Sequence, residues 1–505
     1  MTTSITIYTH SVTIQTKDGI LLNHIHKFLD TYYTHKQRSF GNKDETTSKL
    51  FAGKVKNQGI YQLHKRQFIH LYQHLKEINY PLQDVEKTDV SSYKVHPSNF
   101  KVRDGWVLRE DQKPVYDFLL NNPTGSKLVP LATGSGKTAV SLITLGTIKK
   151  RLGIVILPVY IDKWVSDITQ IHEAKTTDVM VVQGSKALRG IIGLAQEGQL
   201  KHDYIIFSNR TLQEFINAYE EDPDYCTDNY GCTPLELFPL LGIGVMLIDE
   251  THQHYHSIFM IMIHTNVEFQ IGLSATLVSD DHVTRRMHRV IYPNDCIYGG
   301  GVIPKYTDMY PIAYSMQNEL KKFVKTSNFG SSTYSHTAFE VSIIKRSFLI
   351  DRYKKLIDTT IQDYYIPDYQ AGDKLLIFVA TIQLATILAG YLGELYPDKK
   401  VSRYCEDDPY ENLINSDIII STQQSAGTAV DIPNLRVVIQ TVSVSSIQAN
   451  IQNFGRLRKL KDRDTKYCYL YCNNIPKQKD YHMRRVELFR DRAASIVYRQ
   501  SRCNM

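Results

Sequence analysis

The sequence predicts an α/β protein with two parallel-sheet domains in tandem and a small α+β domain before them. Three observations predict this class. Short apolar runs alternate with helical patterns in residues 96–298, the alternation returns in residues 299–505, and Gly299, Gly300 and Gly301 separate the two stretches. Such alternation favours a parallel sheet covered by helices. We therefore expect three domains, formed by residues 1–95, 96–298 and 299–505, since 505 residues are too many for one core.

The first 95 residues predict a small α+β accessory domain. Alternating residues at 5–8 and 11–15 are typical of strands, and amphipathic stretches at 21–32 and 66–78 are typical of helices. A set of basic and aromatic residues here is compatible with a nucleic-acid-binding face, or equally with an ordinary solvated exterior. The set is Lys54, Lys56, Tyr61, His64, Lys65, Arg66 and Tyr72.

The strands of the two larger domains are predicted from apolar runs. In the first domain they are Leu128–Leu131, Gly153–Leu157, Val179–Val182, Tyr204–Phe207, Val245–Ile248 and Gln270–Leu273; in the second they are Lys374–Val379, Ile418–Ser421, Val437–Gln440 and Tyr467–Tyr471. The acidic stretch 219–228, which contains Pro223, is interpreted as an inserted loop or a solvated surface. The stretch 484–494 predicts a helix that packs on the second domain, with contact to a nucleic-acid duplex as the alternative.

Composition narrows the class of protein. A formal charge of +7 and 33 tyrosines suit a partner that is a polyanion, because cations release phosphate counterions and aromatic rings stack on bases. Seven cysteines without a dense framework indicate a reducing compartment. No apolar run approaches the length of a membrane span, so we expect no membrane contact. We expect the protein in the cytoplasm, or in the host cytoplasm if it is viral. We also expect a monomer.

A phosphate-binding loop follows the first predicted strand of residues 96–298. Residues 132–138 read Ala-Thr-Gly-Ser-Gly-Lys-Thr and precede a helical pattern. Glycines let successive N–H groups point at one small volume, and the helix adds the positive end of its dipole. Lys137 would reach the outer phosphates of ATP, and the Thr138 hydroxyl would complete the shell of Mg²⁺. Only Ala132, in place of the first glycine, departs from the general pattern.

Two adjacent carboxylates follow another apolar strand, 112 positions after the loop lysine. Asp249 and Glu250 end the run that begins at Gly244. Ligands collect at the carboxyl ends of parallel strands. Asp249 is suited to hold magnesium, and Glu250 to orient or deprotonate the attacking water. A plain helix start would also favour an Asp followed by a Glu, and the two interpretations are compatible.

This order of motifs resembles the superfamily 2 helicases, whose motor is a pair of RecA-like domains. The likeness covers about residues 108–459. The DExH motif, residues 249–252, is most similar to that of the phage branch-migration helicases of the UvsW type. For nucleotide binding the resemblance implies Gln112 as the adenine-reading residue, Thr133, Gly134, Ser135 and Gly136 around the phosphates, and Gly427 and Asp431 in the stretch 421–433.

The resemblance also assigns residues to nucleic acid and to coupling. Lys163, Arg210, Thr211 and Thr422 would contact the strand. His252, Ser274, Thr276 and Gln452 would link the ATP site to strand binding. The motif after residue 452 is the family's source of arginine fingers, and here its second arginine place is Lys459, with arginine one step earlier. The finger is therefore Arg456 or Arg458, because a lysine does not replace a forked guanidinium.

The functional expectation is a DNA helicase or translocase that uses ATP and magnesium. Its DNA would be a forked or branched duplex in replication, recombination or repair, with replication or recombination proteins as possible partners. The alternatives are an RNA helicase of the DExH kind and a motor subunit of a restriction or recombination complex.

Overall fold

A computed structural model describes residues 3–38, 46–56, 58–80, 85–131, 135–251, 254–274, 282–299, 305–327, 333–406, 408–426, 432–461 and 463–505. The chain divides into two compact units. Met1–Leu131 and Ser135–Gly301 belong to the first, and Val302–Met505 belongs to the second. The boundary predicted at residue 298 lies close to this division. The boundary predicted at residue 95 lies inside the first unit, between two sheets.

The N-terminal module is a five-stranded sheet with two helices. Its elements are β1 (Thr3–Ile7), β2 (Ser11–Gln15), α1 (Gly19–Tyr32), β3 (Thr34–Arg38), β4 (Thr46–Leu50), β5 (Gly53–Val55), β6 (Ile60–His64), α2 (Lys65–Glu77) and β7 (Val85–Asp89). The strand order is β5-β6-β2-β1-β7, with β7 parallel to β1 and the other pairs antiparallel. Strands β3 and β4 form a separate hairpin.

The module is joined to the rest of the first unit by hydrogen bonds and a shared apolar core. The backbone N–H and the hydroxyl of Thr9 both donate to Asn266 Oδ1, at 3.0 and 2.9 Å. Gln62 Nε2 donates to the Ile263 carbonyl at 2.9 Å. Phe51 of the module lies in edge-to-face contact with Phe259. The module is therefore packed on α10 and the loop that follows it.

The rest of the first unit is one parallel sheet with its helices. Its elements are α3 (Lys113–Leu120), β8 (Gly125–Pro130), α4 (Lys137–Ile148), β9 (Leu152–Ile156), α5 (Ile161–Ile171), β10 (Val179–Val182), α6 (Ser185–Gln196), β11 (Tyr204–Ser208), α7 (Asn209–Glu221), α8 (Pro223–Tyr230), α9 (Pro234–Leu241), β12 (Val245–Ile248), α10 (Tyr255–Ile263), β13 (Phe269–Ser274) and α11 (His282–Ile291). The order β10-β11-β9-β12-β13-β8 is parallel throughout. All six predicted strands are confirmed.

The second unit repeats this architecture. Its elements are β14 (Thr307–Tyr314), α12 (Asn318–Lys321), α13 (His336–Ile344), α14 (Ser347–Tyr364), β15 (Lys374–Val379), α15 (Ile382–Leu395), β16 (Val401–Tyr404), α16 (Glu411–Ile414), β17 (Ile418–Thr422), α17 (Gln423–Ala426), β18 (Leu435–Gln440), α18 (Ile447–Phe454), β19 (Thr465–Cys472), α19 (Pro476–Phe489), β20 (Ser495–Ile496) and β21 (Arg499–Gln500). The order is β16-β17-β15-β18-β19-β14-β20, β21 also pairs with β14, and every pair is parallel. The predicted α/β class with two parallel-sheet domains is confirmed.

Strand β14 was missed from the sequence because it contains Pro311, which normally argues against a central strand. One side of β14 pairs continuously with β19. On its other side, β20 pairs with Asp308 and Met309, and β21 pairs with Ile312 and Ala313. Pro311 lies between these two short pairings, where no N–H donor is required.

Of two other sequence interpretations, the first is corrected in part and the second is confirmed. The stretch 219–228 is not a loop, because α7 ends at Glu221 and α8 starts at Pro223 with the Asp222 side chain accepting from the Tyr225 N–H. It does form a largely exposed surface. The predicted helix near the C-terminus is α19, whose Arg485 is buried and donates to Asn450 Oδ1 and the Val442 carbonyl. Packing is therefore confirmed for this helix.

Two of the seven basic and aromatic residues of the N-terminal module do not reach the surface, so they cannot belong to a nucleic-acid-binding face. Tyr61 and His64 are buried. Lys56 pairs with Glu221, and the Arg66 guanidinium donates to the Val290 carbonyl at 2.8 Å. The reason is that the module sheet is covered by its own helices and also by α7 and α10 of the first unit. An alternating pattern alone does not reveal the second cover.

Candidate nucleotide and nucleic-acid site

The phosphate-loop lysine lies at the carboxyl end of β8. Gly136 has φ +82° at the N-cap of α4, a conformation that glycine adopts without strain. Lys137 begins the helix and is buried, and Thr138 beside it is half-buried. Ser135 is also described, whereas the predicted phosphate contacts Thr133 and Gly134 lie outside the described residues.

Lys137 lies across from the predicted catalytic glutamate. Its Nζ is 3.6 Å from Glu250 Oε1 and, among the described residues, forms no hydrogen bond. A buried ammonium group is costly unless it is paired and hydrogen-bonded. One ion pair at this distance leaves its donors available to an anionic ligand. The two residues, 113 positions apart, meet because β8 and β12 belong to the same parallel sheet.

Asp249 and Glu250 follow the end of β12 in a strained turn. Glu250 has φ +51°, a region that side chains other than glycine rarely adopt. The Glu250 N–H donates to Asp249 Oδ1 at 2.9 Å, and Trp164 Nε1 donates to Asp249 Oδ2 at 3.0 Å. Burial and the nearby Glu250 charge raise the pKa of Asp249, while Lys137 opposes this change. Two donors thus fix the orientation of the Asp249 carboxyl group.

These groups fit a triphosphate with Mg²⁺. Thr138 offers a hydroxyl and Asp249 a carboxylate, both oxygen donors of the kind that Mg²⁺ prefers. Lys137 offers an ammonium group that forms no hydrogen bond with the described chain. A bound triphosphate would supply the reacting phosphate, and Mg²⁺ would supply the charge that polarises it. The chain supplies the cation, the carboxylates and their fixed orientation.

Gln112 lies against the phosphate loop. Its Nε2 donates to the Ser135 carbonyl at 3.1 Å, and its Oε1 accepts from the Arg109 N–H at 3.1 Å. The Arg109 guanidinium also donates to the Ser135 carbonyl and pairs with Asp111. Both ends of the Gln112 amide are therefore engaged by the chain. Its predicted contact with adenine stays a prediction.

The strand ends around this site are connected by main-chain hydrogen bonds. The Leu131 N–H donates to the Ser274 carbonyl at 3.0 Å, and the Thr251 N–H donates to the Leu273 carbonyl at 2.9 Å. Ser274 is buried at the end of β13. The loop strand, the carboxylate turn and the Ser274 strand therefore form one connected edge. His252 and Thr276, also predicted to couple, lie outside the described residues.

The predicted nucleic-acid residues of the first unit differ in exposure. Lys163 on α5 is exposed and pairs with Asp167 at 3.5 Å, and Arg210 at the start of α7 is exposed. Thr211 is buried, and its hydroxyl accepts from the Gly184 N–H at 2.7 Å. Lys163 and Arg210 are available for phosphates, whereas the Thr211 hydroxyl already has a partner inside the unit.

The second unit places its predicted residues near the ends of β17 and α18. Thr422 ends β17 and forms a hydrogen bond with the Ser425 hydroxyl at 2.9 Å. Arg456 is buried, and its Nε donates to the carbonyl of Gln452 at 3.4 Å. Arg458 donates to the Gly455 carbonyl. Gly427 and Asp431 lie outside the described residues, so their predicted contacts with nucleotide stay predictions.

Two neighbours of the site were not assigned from the sequence. Trp164 is one of them. It is fully buried, and its indole donates to Asp249. Arg109 was not considered, although it contacts the phosphate loop. A buried tryptophan needs an acceptor for its N–H, which is the signal that would have linked Trp164 to a carboxylate.

Comparisons with known proteins agree with this geometry. Residues 106–279 match the family described as Type III restriction enzyme, res subunit. That stretch contains Gln112, Lys137, Asp249 and Glu250. The matched stretch covers less than half of the chain. The match does not extend to the narrower likeness with the UvsW type.

Two solved structures are similar to the chain at low identity. S. cerevisiae Dbp5 bound to RNA and ADP BeF3 has a TM-score of 0.47 and 14% identity, over 78% of this chain and 95% of that one. The Pyrococcus furiosus Hef helicase domain has a TM-score of 0.43 and 14% identity, over 75% and 98%. At this level neither likeness assigns a substrate. A search of curated protein sequences gives no match. In the part of the chain that the structure describes, no helix is long and apolar enough to cross a membrane.

Proposed function

We propose that this protein is an ATP- and magnesium-dependent DNA helicase or translocase that remodels forked or junction DNA. The observation that carries the proposal is the buried Lys137 ammonium group, which is 3.6 Å from Glu250 and forms no hydrogen bond with the described chain. A cation held this way beside two carboxylates, at the carboxyl edge of a parallel sheet, favours a bound triphosphate.

In this proposal each group at the edge has one task. Lys137 binds the outer phosphates of ATP, and Thr138 and Asp249 hold magnesium. Glu250 orients the attacking water, since phosphoryl transfer depends mainly on positioning and electrostatic stabilisation. The indole of Trp164 keeps the Asp249 carboxylate aimed at the metal. Gln112 reads adenine after exchanging its present partners.

The remaining predicted residues complete the proposal. Ser135 and Gly136, with Thr133 and Gly134, surround the phosphates, and Gly427 and Asp431 add contacts with nucleotide. His252, Ser274, Thr276 and Gln452 couple hydrolysis to strand binding. Arg456 and Arg458 are the two candidates for the arginine finger.

Contacts with DNA are proposed to be mainly with phosphates, which makes movement independent of base sequence. Lys163 and Arg210 support this, because both are exposed cations at the starts of helices. Thr422 at the end of β17 is the corresponding residue of the second unit. Thr211 has the least support, since its hydroxyl accepts a hydrogen bond from Gly184.

A second candidate is a DNA motor subunit of a restriction complex that translocates without separating strands. The description of the matching family favours it. The two candidates differ in strand separation, because a translocase of this kind hydrolyses ATP on DNA and leaves a fork intact. An RNA helicase differs from both in the nucleic acid that stimulates hydrolysis.

The test is ATP hydrolysis by the full chain with no nucleic acid, single-stranded DNA, forked DNA, four-way DNA and RNA. Lys137→Ala is the blank. We expect strong stimulation by branched DNA that the variant loses, together with strand displacement on the fork. Stimulation by RNA alone would contradict the DNA assignment. Hydrolysis on DNA without displacement would favour the restriction motor.

A further inference from the structure

Helix α11 exposes three arginines on one face. Arg285, Arg286 and Arg289 are all exposed, whereas Met287 and Ile291 of the same helix are buried. At 3.6 residues per turn, the three arginines span about 100° of the helix surface, opposite the buried pair. We call this surface the α11 arginine face.

These arginines have no ionic partner within the described parts of the chain. The recorded ion pairs involve none of the three. Cations concentrated on one face repel one another, and an exposed patch of this kind attracts polyanions. The α11 arginine face therefore presents its charge outward.

The helix that carries this face packs against α10, the helix that follows the carboxylate turn. His288, within one helical turn of Arg285 and Arg289, stacks on Tyr255 with ring centroids 3.8 Å apart. Tyr255 begins α10, the first helix after Asp249 and Glu250. The first turns of α11 therefore pack against the chain that leaves the carboxylate turn.

The N-terminal module supplies aromatic rings next to the face. The Arg286 guanidinium lies 5.5 Å from the ring centre of Tyr32 and 5.7 Å from that of Tyr33. Tyr33 is held in turn by a hydrogen bond of 2.9 Å between its hydroxyl and His70 Nδ1. Tyr32 is half-buried, so part of it is accessible beside the arginines. Cations with aromatic side chains beside them are typical of nucleic-acid-binding surfaces.

We propose that the α11 arginine face binds the phosphate backbone of DNA as a contact surface additional to the motif residues. This inference rests on the proposed function. It gives the N-terminal module a part in DNA binding through its contact with Arg286, in place of the face that its sequence suggested. It also places a DNA contact one helix away from the carboxylates that act on ATP.

The test uses a charge-matched pair of triple variants of the full chain. In the first, Arg285, Arg286 and Arg289 are all changed to Gln. In the control, Lys186, Arg189 and Lys201 are changed to Gln. These exposed cations lie in or just after α6, which connects the edge strand β10 to its neighbour β11. Binding of a fluorescent forked DNA is measured by anisotropy without nucleotide, at several salt concentrations.

We expect the arginine variant to bind about tenfold more weakly or worse at low salt, with the slope of log K against log salt reduced by about two to three. The control should keep the wild-type slope. In hydrolysis assays, the DNA concentration for half-maximal stimulation should rise while the rate at saturating DNA is retained. Because Arg286 also packs on the module, the double variant Arg285→Gln, Arg289→Gln is measured too, with a slope reduction of about one to two expected.

The outcomes separate this inference from the proposed function. Wild-type protein that hydrolyses ATP faster with DNA, beside an arginine variant that behaves as the control does, would reject the arginine face alone. Wild-type protein that neither binds DNA nor responds to it would reject both. A weaker affinity in the triple variant with a wild-type slope in the double variant would assign the loss to module packing, and would also reject the arginine face.

Discussion

The two parallel sheets each hold an enclosed carboxyl group near the carboxyl ends of their strands, and the two groups differ in their partners. In the first unit, Asp249 accepts hydrogen bonds from Trp164 and from the Glu250 N–H, and Glu250 faces the Lys137 ammonium group. In the second unit, Glu340 of α13 is fully buried. It accepts from the Ala380 N–H at 2.8 Å and the Thr381 hydroxyl at 3.0 Å, in the turn after β15.

The groups at the first edge are suited to bind a ligand, whereas the carboxyl group at the second edge binds the chain itself. The first edge combines a cation that forms no hydrogen bond with the described residues and a residue with φ +51°. Such features cluster at functional sites. At the second edge, the Glu340 carboxyl group binds the backbone that begins α15, and burial raises its pKa to about 8. The same sheet architecture therefore holds the proposed binding site in one unit and a carboxyl group that supports the chain in the other.

The largest expected effect comes from removing the cation of the first edge. Lys137→Ala should lower the rate of DNA-stimulated ATP hydrolysis on the order of 10²- to 10³-fold, because a positioned charge on the reacting phosphates is lost. Steady-state hydrolysis measures this, with circular dichroism to establish folding. Lys186→Ala, which removes an exposed lysine on α6, should leave the rate unchanged. A Lys137→Ala protein with wild-type turnover would contradict the proposed role of the first edge in ATP hydrolysis.

A smaller effect is expected from loosening Asp249. Trp164→Phe removes the indole donor while keeping an aromatic ring in the core, and should lower the hydrolysis rate about tenfold. The Trp164 hydrogen bond lowers the pKa of Asp249, so its loss should raise that pKa. Because the proposal makes the Asp249 carboxylate a ligand of magnesium, the acidic limb of the rate profile should move to higher pH. An unchanged limb with a reduced rate would assign the loss to packing instead.

The smallest effect concerns stability at the second edge. The pKa of Glu340 is about 8 in the folded chain, above its ordinary value of 4.5. Between these values the folded state binds a proton that the unfolded state releases. The free energy of unfolding should therefore fall as pH rises through this window, by up to about 1.4 kcal/mol per pH unit. Glu340→Gln should remove this dependence and gain stability relative to wild type toward pH 8.

Urea unfolding at pH 6 and pH 8, followed by circular dichroism, tests the Glu340 prediction. The chain has two tryptophans, Trp106 and Trp164, and both belong to the first unit. Their fluorescence is thus an internal control that should not respond to Glu340→Gln. Equal pH dependence in the variant and the wild type would show that Glu340 is ionised throughout.

Much of the architecture was predictable because each local pattern agrees with the final fold. The six strands of the first sheet are apolar runs bounded by polar residues, which is typical of strands buried on both faces. In the second sheet, β15, β17, β18 and β19 share this pattern. The missed strands do not: β16 is four half-buried residues, β20 and β21 have two residues each, and β14 contains Pro311.

The acidic stretch 219–228 shows a limit of composition as a signal. Its charges and Pro223 suggested a loop, yet proline is well tolerated in the first turn of a helix and Asp222 caps that turn. The basic and aromatic residues of the N-terminal module show a second limit of sequence patterns. The sequence groups Lys56, Tyr61 and Arg66 together as basic or aromatic residues. Only the packing of the module decides which of them reach solvent.

By itself, the sequence determined the two parallel sheets, the loop that ends at Lys137 and the carboxylates at 249 and 250. These features arise from short segments whose apolar runs, glycines and charges act locally. The tertiary structure decided which groups meet across long separations: Lys137 with Glu250, Trp164 with Asp249, and Arg286 with Tyr32. Such contacts depend on strand order and on the docking of the module, because burial of apolar faces on several elements at once sets them, and no single segment encodes that arrangement.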